Sequence, residues 1–96
     1  MNSAIPNRND PLQGIALDDR YAYILVEYNQ KTMSVSKLRG LIELTGSQIL
    51  EIQEFQPGQV RMKTVLFKLD TQDVREIILS LSNHPLQNVT GYNSKQ

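Results

Sequence analysis

Apolar and polar residues change their spacing repeatedly along the chain, and the changes mark out strands and helices. The run Arg20 to Tyr28 contains Tyr21-Ala22-Tyr23-Ile24-Leu25-Val26, rich in aromatic and β-branched residues and apolar on both alternating sets of positions, which predicts a central strand. Asn29-Gln30-Lys31-Thr32 breaks the run. Beyond it Val35, Leu38, Leu41 and Ile42 recur at i, i+3, i+6 and i+7, the stripe of a helix lying on a sheet, with Ser34 or Ser36 as its N-cap. Gly46 stands where a left-handed residue ends such a helix. Gly40, inside it, costs about 1 kcal/mol relative to alanine, and close contact with the sheet is the expected compensation.

Ser47 to Phe55 alternates, Leu50 and Ile52 against Glu51 and Gln53, as in a half-buried strand. Gln56-Pro57-Gly58-Gln59 suits a type II turn, because proline presets φ at its second position and glycine accepts positive φ at its third. The turn leads into a hairpin partner, Val60 to Leu69, where Met62, Thr64 and Leu66 alternate with Arg61, Lys63, Val65, Phe67 and Leu69. A second helix follows on Val74, Ile77, Ile78 and Leu81, capped by Asp70 or Thr71, with Asp73 and Glu76 suited to its positive end. Ser82-Asn83-His84-Pro85 stops it, since a pre-proline residue disfavours helical backbone. Gln87 to Tyr92 is the last strand.

The order βαββαβ implies an α+β, ferredoxin-like sandwich, with a four-stranded antiparallel sheet and both helices on one face. Residues 20–93 form this domain, 1–19 a flexible N-terminal arm and 94–96 a C-terminal tail. A chain of 96 residues with 40% apolar and 21% charged residues supports one core. Met1 to Pro11 has no apolar run to act as a secretory core, and no window reaches the ~18 apolar residues of a membrane span. The cytoplasm is the expected location.

Ten basic residues balance ten acidic ones, so no net field attracts nucleic acid or anionic lipid. The third strand lacks the Lys/Arg-Gly-Phe/Tyr pattern of an RNA-stacking platform; nucleic-acid binding ranks below the other readings. Without cysteine and with His84 alone, zinc ligation has no recognisable spacing and no triad is indicated. Asp18-Asp19 and Glu51, Glu54 read as solvated carboxylates, and the isolated glycines form no phosphate loop. The expectation is therefore no catalytic residue, no metal and no cofactor: not an enzyme.

Two surfaces remain. Asn29, Lys31, Ser34 and Ser36 surround the start of the first helix, where backbone N–H groups and the helix dipole suit a small anion or carboxylate; a capped polar loop is the plainer account of the same residues. The sheet face without helices is the second surface, with Tyr21, Tyr23, Tyr28, Met62 and Phe67 as candidate contacts, because aromatics and methionine favour interfaces.

Tyr23-Ile24-Leu25-Val26-Glu27, Val35 to Gly46, Ser47-Gln48-Ile49-Leu50-Glu51-Ile52, Val60 to Leu69 and Val74 to Leu81 together resemble the ACT regulatory domain in pattern and spacing. The resemblance implies a ferredoxin-like fold and dimerisation. Members of that family commonly bind an amino acid against a glycine at the start of the first helix, where this chain has Lys31-Thr32-Met33-Ser34. The combined expectation is a regulatory or adaptor domain that works through self-association as a homodimer and through a protein partner. A small-molecule effector, an amino acid or nucleotide, is the alternative.

Ile77 tests the helix stripe directly. Ile77→Ala is expected to lose about 2–5 kcal/mol in urea unfolding; a near-neutral result removes this residue from the core.

Overall fold

The computed structural model describes residues 16–55 and 62–93. The expected Pro57-Gly58 turn, Arg61, most of the N-terminal arm and the C-terminal tail lie outside the described residues. Six elements follow in the order β1 (Ala22–Asn29), α1 (Val35–Glu43), β2 (Ile49–Phe55), β3 (Met62–Leu69), α2 (Arg75–Ser82) and β4 (Asn88–Tyr92). The strands form one sheet ordered β2-β3-β1-β4, with antiparallel neighbours. The fold is a ferredoxin-like α+β sandwich.

Strand composition explains this order. β1 and β3, the two most apolar strands, take the centre and pair from Ala22 with Leu69 to Asn29 with Met62. Side chains directly opposite in an antiparallel pair share a face, so Ala22, Ile24, Val26 and Tyr28 lie on one face with Val65, Phe67 and Leu69. These residues form the main core together with Leu38 and Ile42 of α1 and Val74, Ile77 and Leu81. Ile24, Phe67, Leu38, Ile77 and Leu81 are effectively sealed from solvent.

Local chemistry sets the helix ends, with some departures from expectation. Ser34 caps α1: its backbone is extended and its Oγ accepts the Lys37 N–H at 3.2 Å. After α1, Gly46 takes φ +91° and donates its N–H to the Glu43 carbonyl at 3.0 Å. Neither Asp70 nor Thr71 caps α2, whose N-cap is Val74 with no side-chain hydrogen bond. The Asp70 carboxylate instead accepts the Gln48 N–H at 2.9 Å, and Thr71 Oγ1 accepts the Asp73 N–H at 3.2 Å. Both candidates are occupied in the β3–α2 connection one turn too early.

The simple alternation expected of β2 is interrupted. Its pairing passes from Ile49–Leu69 to Glu51–Lys68, so Leu50 is the extra residue of a bulge. That irregularity brings Ile49 and Ile52 against the core, while Leu50 stays 42% exposed. Gly40 does not touch the sheet: it is exposed, and a Cβ added there meets no atom within 4 Å. Gly91 of β4 makes the close approach instead, since its Cβ would stand 3.0 Å from Val74 Cγ2 and 3.2 Å from Ile78 Cδ1.

The two glycines should therefore respond with opposite sign to alanine. Gly40→Ala removes backbone freedom from the unfolded chain at no steric cost and should raise stability by about 1 kcal/mol. Gly91→Ala should lower it by about 1–3 kcal/mol through overpacking against the stiff Val74 side chain. Urea denaturation of both variants checks the contrast; equal shifts contradict it.

Candidate functional site

The face opposite the helices carries the other parity of the central strands. Tyr23 and Leu25 from β1 and Leu66 from β3 form a second apolar cluster, with Leu17, Tyr21, Phe55 and Tyr92 packed around it. A solvent-facing antiparallel surface ordinarily shows polar residues at these positions, yet Tyr23, Leu25 and Leu66 retain only 6%, 5% and 3% of their exposure. Thr64, on the same face, is buried as well. Tyr21, Phe55 and Tyr92 are half-buried.

The five candidate contacts divide between the faces. Tyr21 and Tyr23 belong to the helix-free cluster, and Met62 shares that face by register with Asn29. Tyr28 and Phe67 are placed among the helix-side core residues, which withdraws them from any surface role. Burial, and secondarily the Glu54 carboxylate, raises the Tyr28 hydroxyl pKa above its ordinary value. β1 is apolar on both faces, so its composition alone could not separate the two sets; the pairing register does. Phe55 and Tyr92, which sequence reasoning did not single out, join the cluster through β2 and β4.

Polar groups frame one side of this face. The Lys68 ammonium lies 4.4 Å from the Tyr21 ring centroid and 3.5 Å from a Glu51 carboxylate oxygen, a combined cation–π and ionic contact. Just ahead of β1, Asp18 Oδ1 accepts the Arg20 backbone N–H and Nε at 3.0 Å each, while Oδ2 accepts Nη2 at 2.7 Å. The same arrangement precedes α2: Asp73 Oδ1 accepts the Arg75 N–H and Nε at 3.1 and 3.0 Å, and Oδ2 accepts Nη2 at 2.8 Å. Asp18 is thus more than a solubilising group, and an Asp two residues before an Arg is the signal visible in the chain.

The β1–α1 loop uses its polar atoms internally. The Asn29 carbonyl accepts the Thr32 and Met33 N–H groups at 3.0 and 3.1 Å, and its side-chain oxygen accepts the Lys31 N–H at 2.9 Å. Ser34 is spent on the α1 cap. Lys31 and Ser36 are exposed. A cleft of about 440 Å³ lies at the opposite end of the sheet, where Asp70, Asp73 and Glu76 face Thr45, Ser47 and Thr71. Asp70 and Asp73 hold local turns there, and among the described residues no group of three His, Cys, Asp or Glu side chains is placed to hold a metal ion.

No family model and no curated protein matches the chain. Among the described residues no helix is long and apolar enough to cross a membrane.

The two Asp–Arg pairs have a pH signature. Side-chain and backbone hydrogen bonds from Arg20 lower the Asp18 pKa to about 2, and those from Arg75 do the same for Asp73. In the unfolded chain both carboxyls titrate near 4. The unfolded state therefore takes up protons first on acidification, and the stability these pairs add above pH 4 is lost as the pH falls from about 4 to about 2. Carboxyl-carbon NMR titration should place both midpoints near 2; midpoints near 4 show that the pairs are not held in solution.

Proposed function

We propose that the chain is a non-enzymatic regulatory or adaptor domain of the cytoplasm that acts by self-association, as a homodimer, and by contact with a protein partner. One observation carries this reading: the apolar cluster of Tyr23, Leu25 and Leu66, ringed by Tyr21, Phe55 and Tyr92, on the sheet face that bears no helix. Tyr23, Leu25 and Leu66 lie on the face that the two helices do not cover, and a second sheet packed on the first is a common way to cover such a face. Tyr21, Phe55 and Tyr92 surround the cluster, and aromatic residues are enriched in protein interfaces relative to the rest of the surface.

The ferredoxin-like architecture and the strand and helix spacing support grouping the domain with ACT-like regulatory modules. The loop residues Asn29 and Ser34 use their acceptors in the turn and the cap, which favours association over small-molecule sensing. The zero net charge and the missing Lys/Arg-Gly-Phe/Tyr pattern in the third strand also argue against a sheet that reads nucleic-acid bases.

Light scattering across a concentration series, repeated with a panel of amino acids and nucleotides, tests this. The expected result is a mass of two chains that is unchanged by the panel and falls towards one chain in Phe55→Glu, with an unaltered circular dichroism spectrum. A single-chain mass throughout overturns self-association. A mass that changes only when one ligand is present replaces it with the sensing reading.

A further inference from the structure

The segment before β1 is fastened at the end of the sheet where β1 begins by side chains from three separate parts of the fold. Leu17 packs against the Tyr23, Leu25 and Leu66 cluster. The next residue, Asp18, donates its backbone N–H to Tyr23 Oη at 2.9 Å, and its carbonyl accepts Asn93 Nδ2 at 3.3 Å and the Tyr21 N–H at 3.1 Å. Gln72, in the connection between β3 and α2, donates Nε2 to the Arg20 carbonyl at 2.9 Å. Asn93 holds φ +59°, the one positive φ among described non-glycine residues, a conformation asparagine tolerates better than most. The Asp18–Arg20 pair then locks the turn between these anchors.

We propose that residues 17–20 form a strap that closes the helix-free face, and that its release uncovers the Tyr23–Leu25–Leu66 cluster for association. The inference rests on the proposed role of that face and adds its regulation. Among the described residues Leu17 is the strap side chain that packs on the cluster. Each anchor is an individual hydrogen bond to the strap backbone, whereas Ile24, Phe67 and the helices are held by the core on the other side. The strap is thus able to open while the domain stays folded.

The test combines Tyr23→Phe, which deletes the hydroxyl acceptor and keeps the ring, with Asn93→Gly, which deletes the amide and accepts the positive φ. Amide hydrogen exchange is read at Asp18 and Tyr21 in the strap and at Ile24 and Phe67 in the core, alongside fluorescence of an apolar dye. Loss of two anchors should speed exchange at Asp18 and Tyr21 by about tenfold, leave Ile24 and Phe67 unchanged, and raise dye emission. Unchanged strap amides overturn the proposal, as does acceleration of strap and core together, which makes the segment an inseparable part of the fold. Faster strap exchange without added dye emission shows that the strap covers nothing. A chain that is monomeric in light scattering removes self-association but leaves these exchange results standing, so the two failures are distinguishable.

Discussion

Ile24 and Phe67 face one another across β1 and β3, both without solvent exposure, and the remaining elements are placed by the need to keep that pair covered. In an antiparallel ladder the register decides the face of every side chain at once, and a slip of one residue would turn the whole set over. Pairing Ile24 with Phe67 commits Ala22, Val26, Val65 and Leu69 to the same side, where Leu38, Ile42, Val74, Ile77 and Leu81 close over them. It equally commits Tyr23, Leu25 and Leu66 to the other side. The second cluster is a consequence of the register that builds the core.

Covering one face from two helices constrains the edges. α2 lies close enough to β4 that Gly91 has no room for a Cβ between Val74 and Ile78, so a small residue there lets the short strand sit beneath the helix. At the opposite edge, the bulge at Leu50 restores phase between β2 and β3 and brings both Ile49 and Ile52 against the core. Two Asp–Arg turns, at Asp18 and Asp73, bend the chain immediately before β1 and α2. The side chain accepts a backbone N–H two residues on, and the arginine fork fixes the carboxylate's orientation.

Topology was legible in the sequence because apolar spacing changes cleanly between strand and helix, and because turn residues separate the runs. The α1 stripe and its Ser34 cap follow from local rules alone. Assignment of Tyr28 and Phe67 to a surface failed for a specific reason: the runs Tyr23-Ile24-Leu25-Val26 and Val65-Leu66-Phe67 are apolar at both parities and contain no alternation from which to read a face. The caps proposed at Asp70 and Thr71 were displaced by a longer connection in which those side chains serve Gln48 and Asp73. Asn29 and Ser34 suit a capped polar loop more readily than a ligand loop by residue type, and their side-chain oxygens accept hydrogen bonds within the turn and the cap. The anchors on Asp18 and Arg20 come from Asn93 and Gln72, 75 and 52 residues away; such contacts depend on tertiary placement and leave no periodic trace.

The two faces differ in how their closure is secured. On the helix side, Leu38, Ile42, Ile77 and Leu81 each bury an entire side chain, and opening that layer exposes several of them together, at about 1.5–3 kcal/mol each. On the other side a short segment is held by Leu17, by the Asp18 N–H donated to the Tyr23 hydroxyl and by hydrogen bonds from Asn93 and Gln72, each bond typically adding about 0.5–1.5 kcal/mol net of water. Domains of this size are stable by only about 5–15 kcal/mol in total, so the proposed opening of the strap requires only a fraction of the cost of unfolding. A face closed in this way suits an association surface, because apolar side chains stay covered in the free chain while the layer that maintains the fold remains undisturbed when they are uncovered.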